Sequence, residues 1–551
     1  MTYQFNLIDE KWIPCLLPGG RREEYGIRDA LLKAAKISEI SDHSPLVTAA
    51  LHRLLLAILH TVFGPRSVDE WAALWHRGWD ERRLMSYLDD ERVHERFDLF
   101  HPQRPFCQVA GVSSRGASPA TRLARELASP ANAVLLFDHG GKDVLTAAEA
   151  ARCLLAYQSY APGGSQSRES AEFSSAKAAP LVNAALLLVK GSDLRRTLLL
   201  NLHWYCPDEA EPFSGAGADR PAWEAAAPPG DVVRAPLGYL DLLTWQSRRV
   251  RLLPEAGEGG QAVVSRAIIL RGEQFEKGFS LHEKETMVAF KKNVKAGPGA
   301  DPWPAVALQP ERALWRDSLS LLESVAEQRS RPKMLDWLRY LVAEGHLAIA
   351  DTLPLEVFGC VPDQANVVLW RHERLPVPTS YLSNPALVAL LRESLQMAAG
   401  AASALVTAQW QLACLLAKPN AHSETDPRRL PPRARVKGLY AGLGAPRSYW
   451  AALEAPFHQH MQRLATHYLA AEDGQADKTR EDLDAWRRAA RRAARAAYDE
   501  MAATLQYSER TARATALAEN ALRYRLNRSL PREPMTIEEE TDEPTETVLA
   551  D

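Results

Sequence analysis

Apolar and polar positions alternate with two different periods along this chain. Residues 46–63 place Leu51, Leu54, Leu55, Ile58 and Leu59 at helical spacing, and residues 147–160 carry a second apolar-faced helix stopped by Ala161-Pro162-Gly163-Gly164. Short apolar runs at 184–189 and 250–253 predict strands, and residues 6–14 predict an edge strand ending at Pro14. Residues 254–260 and 297–304 read as loops. Strands and helices follow one another without a regular βα rhythm, which argues against a doubly wound sheet.

The character changes after residue 378. Ser383-Asn384-Pro385 opens a helix with a capping side chain and a proline at its first position, running to about residue 416. Residues 418–432 form a polar, proline-rich loop, and further helices are expected at 447–472, 477–506 and 509–528. The predicted fold class is α+β: a large, irregular mixed α/β domain (residues 1–380) followed by a C-terminal four-helix bundle (381–530). Residues 531–551, acidic and poor in large apolar groups, are expected to be a disordered tail.

Composition narrows the class. Of 551 residues, 46% are hydrophobic and 25% charged, as in a globular protein. No run of about 18 apolar residues suggests a membrane span, and the first residues lack a signal peptide's basic and apolar regions, so the expected location is the cytoplasm with no membrane partner. Cys15, Cys107, Cys153, Cys206, Cys360 and Cys414 contain no CxxC pair, so they give no zinc-ribbon spacing and read as reduced core thiols. The net charge of −3 hides an asymmetry: eight acids and no bases lie in residues 533–551, leaving 61 acids against 66 bases in the body. A mildly basic body is compatible with nucleic acid and does not require it.

Enzyme signatures are missing: no Walker A lysine loop, HExxH, GxSxG, or GxGxxG after a strand is present. His458, His460 and His467 form a histidine patch that lacks further ligands for a metal site. Arg487, Arg491 and Arg495, with Arg488 and Arg492 beside them, make a cationic stripe on one helix. It reads either as a solvated face with i,i+4 pairs or as a track for a phosphate backbone. Lys291, Lys292 and Lys295 precede a Gly/Pro-rich stretch, where they are solvated or reach along phosphates. Residues 361–366 (VPDQAN) put compact polar groups at a turn between apolar segments.

Six stretches, taken in order, resemble one family: 5–14 (FNLIDEKWIP), 104–108 (RPFCQ), 161–164 (APGG), 193–201 (DLRRTLLLN), 238–247 (GYLDLLTWQS) and 309–316 (QPERALWR). They are similar to the CasA family, the large subunit of the type I-E CRISPR surveillance complex Cascade. The resemblance covers the chain to about residue 530. It implies a non-catalytic subunit that reads the protospacer-adjacent motif in double-stranded target DNA from the minor groove and initiates strand separation and R-loop formation.

The resemblance also implies contact with the guide RNA 5′ handle, with the small and backbone subunits of the complex, and with a separate helicase–nuclease effector. Within it, Gly163 and Gly164 match the family's glycine loop. Lys291 and Lys292, with Lys295 third, match its lysine finger. Asp363, Gln364 and Ala365 match its strand-separating wedge, where Asp363 departs from the family's asparagine. Phe137 matches the guide-RNA docking loop. The region 255–271 carries no cysteine where some relatives bind zinc, so neither metal nor cofactor is expected. The competing expectation is a metal-dependent nuclease or nucleotide hydrolase using Glu283 and Glu285 near the lysines.

Overall fold

Helix α1 (Pro45–Phe63) buries every residue except Pro45 and Thr61, because its apolar positions run all the way round rather than along one stripe. By composition it is long and apolar enough to cross a membrane, yet 94% of its most apolar window is buried inside the protein. Helix α2 (Ala147–Tyr160) packs on α1 and begins with a capping box in which Thr146 and Glu149 satisfy each other's backbone N–H groups. The computed structural model describes residues 3–112, 117–124, 144–164, 175–204, 219–297, 301–309, 311–323, 329–363, 366–418, 432–471 and 476–531. The chain divides into two units, Met1–Ala389 and Leu390–Asp551.

Among the described residues of the first unit, three sheets have three or more strands and two are two-stranded. Ile13–Leu16 pairs with Arg22–Tyr25 and Glu39–Ile40. Strand β1 (Leu186–Val189) belongs to a second sheet. The third is built on β3 (Ala262–Arg271), which pairs antiparallel with β2 (Arg248–Ala256) and with the short strands Ser118–Pro119 and Leu145–Thr146. The second sheet is completed by a long hairpin, β4 (Thr352–Asp363) and β5 (Asn366–Pro378), in the order β5-β4-β1.

The expected α+β class stands, with corrections at element ends. The strand expected at 6–14 begins only at Ile13, because the Asn6 carboxamide accepts the Ile8 N–H (2.9 Å) and turns the chain. The strand expected at 250–253 runs from Arg248 to Ala256. Pro254 is accommodated where the register shifts after Leu253, so the loop expected at 254–260 starts late.

The second unit holds α4 (Arg433–Leu443), α5 (Ala445–Ala471), α6 (Ala476–Ala503) and α7 (Glu509–Ser529), together with most of α3 (Pro385–Ala417), within which the division falls. Helix α4 is the correction here, a fifth helix where four were expected; it ends at Gly444, left-handed at φ 71°. Buried polar contacts fix the packing. The Trp486 indole N–H donates to the Ser394 carbonyl (2.7 Å), and the Tyr449 hydroxyl donates to that of Ala398 (2.7 Å). The acidic tail beyond residue 531 lies outside the described residues.

Candidate nucleic-acid interface

Strand β1 has the sequence Leu-Leu-Leu-Val, and all four residues are buried. Such a short, wholly apolar strand contributes no side-chain chemistry; its importance lies in what pairs with its backbone. On one edge β4 runs antiparallel to it, from Leu355 opposite Val189 to Phe358 opposite Leu186. Elsewhere the segment before the lysines joins it, with Leu187 N–H donating to Met287 O (2.8 Å) and Leu186 bridged to Val288. The residues leading into β1 return from the glycine loop, and Ala185 N–H donates to Val306 O (2.9 Å). The glycine, lysine and turn segments therefore share one support.

The glycine loop closes at a narrow neck. Gly164 and Ala176 exchange two backbone hydrogen bonds of 3.0 Å, and Ala179 N–H donates to Ala161 O at 2.8 Å. A Cβ on Gly163 would stand 3.1 Å from Ala178 N and 3.3 Å from Ala176 O, so a side chain there fits only if the opposite arm gives by a few tenths of an ångström. Gly164 has φ +135°, strained for any L side chain, and is exposed.

Beneath the neck lies Arg248, 0% exposed, donating to Pro162 O and Lys177 O, both at 2.8 Å. Gln158 of α2 fastens Arg248 in turn, its amide bonding the Arg248 N–H and C=O at 2.9 Å each. Burial draws the guanidinium pKa down to about 10, which leaves it charged at neutral pH. Neither residue carries a local sequence signal, because their partners lie 71 to 90 residues away.

The lysines stand on an exposed ribbon whose root is buried at Phe290. Lys291 pairs with Arg329 in register and its N–H donates to Pro304 O (3.1 Å). Lys292 holds its ammonium 5.8 Å from the Trp303 ring, which stacks on His282 at 4.3 Å. A turn over Asn293 then presents Lys295, whose N–H donates to the Asn293 side chain (3.1 Å), and all three lysines are exposed. Gln364 and Ala365, the wedge tip, lie outside the described residues, as does the Asp363 side chain. The backbone closes on them with Asp363 opposite Asn366, so the expected turn joins the two strands of a long arm. Asp363 lies five positions beyond Phe358, the last residue paired with β1, so this arm extends roughly 17 Å further.

Glu356 braces that arm. It accepts from Arg374, its partner on β5, and lies 3.4 Å from His372, which stacks on Phe358. Burial alone would raise the Glu356 carboxyl, but His372, Lys190 and Arg374 outweigh it and bring the pKa from 4.5 to about 2. A folded-state value below the unfolded one stabilises the protein above pH 4.5, and this contribution disappears as pH falls toward 2. Glu356→Gln is expected to cost about 1–2 kcal/mol at pH 7, with the difference from the parent shrinking on acidification, as read from urea denaturation at several pH values.

The arginine stripe requires a correction. Arg491 is buried and caps the end of α7, donating to Leu526 O (3.0 Å), Leu530 O (2.6 Å) and Asn527 Oδ1 (2.5 Å). Arg487 is half-buried and paired with Asp484, so only Arg488, Arg492 and Arg495 remain on the exposed face. His460 stacks on Trp486 and bonds Ser394 (2.8 Å), while His467 pairs with Asp482 (2.6 Å). Among the described residues no group of three His, Cys, Asp or Glu side chains could hold a metal. The competing nuclease expectation placed Glu285 at a reactive site; instead Glu285 is 1% exposed and ion-paired to Arg53 of α1 at 3.1 Å. Phe137 and the Glu283 side chain lie outside the described residues.

Comparison with known proteins gives a consistent result. The sequence model of the CRISPR-associated protein Cse1 family matches residues 6–497. The CRISPR-associated protein CasA/Cse1 of Thermus thermophilus is 35% identical over 509 residues, covering 89% of this chain and 91% of the relative. The Cse1 structure from Acidimicrobium ferrooxidans superposes with a TM-score of 0.77 at 27% identity, covering 96% of this chain and 98% of the other. A chain from a CRISPR RNA-guided surveillance complex shares the fold, with a TM-score of 0.65 at 22% identity over 94% of this chain and 99% of its own length. The chain belongs to the CRISPR-associated Cse1 (CasA) family.

Proposed function

We propose that this protein is the motif-reading subunit of an RNA-guided surveillance complex and makes or breaks no covalent bond itself. The observation that carries this reading is the convergence of the glycine neck, the lysine ribbon and the long hairpin on β1. A backbone without Cβ atoms at Gly163 and Gly164 enters a narrow minor groove, whose acceptor pattern is degenerate, so several related motifs are tolerated. Lys291, Lys292 and Lys295 supply flexible cationic donors beside it. The hairpin tip at Asp363, Gln364 and Ala365 inserts next to the first target base pair. The few kcal/mol lost on unstacking are offset by guide–target pairing, because the heteroduplex is about as stable as the duplex it replaces.

Phe137 then docks the guide-RNA handle, and Arg488, Arg492 and Arg495 run along a phosphate backbone. The helical region meets the small subunits, and the assembled complex, with its backbone subunits, engages a helicase–nuclease. The fold shared with a chain of a CRISPR RNA-guided surveillance complex supports placing this protein in such a complex.

Lysine substitution tests the reading. In a complex reconstituted with guide RNA, Lys291→Ala with Lys292→Ala is expected to weaken binding of motif-bearing duplex. It should also flatten the plot of log K against log salt by about 2, at roughly 0.9 per phosphate contact. An unchanged slope on motif-bearing duplex removes the lysines from the DNA interface.

A further inference from the structure

Arg248 is fully buried and has no acidic partner among the described residues, which is costly unless the charge is held by hydrogen bonds. Its guanidinium bonds among the described residues all go to main-chain carbonyls. Nη1 donates to Ser247 O (2.8 Å), Nη2 donates to Pro162 O and Lys177 O (2.8 Å each), and Nε has no partner among the described residues. Pro162 and Lys177 lie on opposite arms of the glycine loop, Pro162 two residues before Gly164 and Lys177 one residue after its partner Ala176. One guanidinium nitrogen therefore spans both arms. Without that tie, the neck keeps, among the described residues, the Gly164–Ala176 pair and the Ala179 to Ala161 and Leu181 to Ser159 bonds, and so short a two-stranded stem is marginal in water.

Gln158 and Gln274 complete the device. Gln158 fixes the Arg248 backbone, and Gln274 Oε1 accepts the Lys177 N–H at 2.8 Å. A neutral residue would fill the space, but only a planar, multi-donor cation satisfies three carbonyls on three chain segments at once. We infer that Arg248 is a positioning residue for duplex recognition: its guanidinium ties Pro162 and Lys177 together and so sets how the Gly163–Gly164 backbone is presented to DNA. This rests on the reading of the glycine loop given under Proposed function.

The test uses the whole complex with guide RNA and compares two targets, motif-bearing duplex and complementary single-stranded DNA, the latter needing only guide pairing. Arg248→Lys retains the charge but loses the fork, and is expected to reduce duplex capture about tenfold, the worth of a charge-assisted hydrogen bond. Its preference for motif-bearing over motif-scrambled duplex should shrink, with single-strand capture unchanged. In the same variant, amide hydrogen exchange at Gly164 and Ala176 should accelerate while the amides of α1 keep their protection. Arg248→Met should lower duplex capture further.

Unchanged duplex capture in Arg248→Lys with unchanged exchange at the neck overturns the inference. So does an equal loss on both targets, which marks a general structural role. Gly164→Val, measured alongside, separates the two levels. If it leaves duplex capture intact, the glycine-loop reading itself fails. If it abolishes capture while both Arg248 variants behave as the parent, only the clamp fails.

Discussion

Glu285→Ala is expected to destabilise the Met1–Ala389 unit by about 3–5 kcal/mol, the usual consequence of removing one partner of a buried ion pair. The Arg53 side chain is 4% exposed and donates through Nη1 to both carboxylate oxygens, at 3.2 and 3.1 Å. Without Glu285 a full charge remains in the core on α1, and the Met287 N–H also loses its acceptor (3.0 Å). Coulomb attraction within the pair barely repays its desolvation, so the large effect comes from breaking it. Arg53→Met combined with Glu285→Leu is therefore expected to recover most of the loss. The urea midpoint of the three variants reads this directly. A loss below about 1 kcal/mol for Glu285→Ala would mean that water reaches Arg53.

Gly163→Val is expected to lower capture of motif-bearing duplex by about a hundredfold, equivalent to about 2.7 kcal/mol. The first added carbon already meets Ala178 N at 3.1 Å and Ala176 O at 3.3 Å, and both are main-chain atoms that cannot rotate away. Valine adds two further carbons, so the arms of the neck separate and the loop mouth widens; overpacking of this kind costs about 1–3 kcal/mol. Capture of complementary single-stranded DNA should be unaffected. A Gly163→Val complex that opens duplex at the parental rate places recognition elsewhere.

How much could be read from the chain itself depended on distance along it. Helices α1, α2 and α3 were legible because apolar spacing, Pro385 and the Pro-Gly-Gly stop are local signals, and their observed ends lie within a residue or two of expectation. Helix α4 was not, because it follows a proline-rich stretch and buries only Val436. The two glycines stood out as residues, but the clamp beneath them did not. Arg248 looks like one of several arginines until its carbonyl partners, 71 and 86 residues away, are brought to it by folding. The same holds for β1, whose pairing with β4 links residues more than 160 positions apart.

Arg491 shows the reverse error. Regular arginine spacing suggested an exposed stripe, yet position 491 borders the buried line of Trp486, Ala490 and Ala494 and turns inward to the carbonyl end of α7. Local periodicity could not reveal that acceptor.

Because β1 offers its neighbours nothing but amide groups and a greasy surface, the tips it carries are free to change without consulting one another. Under the proposed function, preference for a different target sequence can evolve one loop at a time, and a protein engineer can exchange loops in the same way. On the same reading, a single disruptive change within Leu186–Val189 would silence every tip together, making this plain four-residue segment the least forgiving place in the proposed recognition surface.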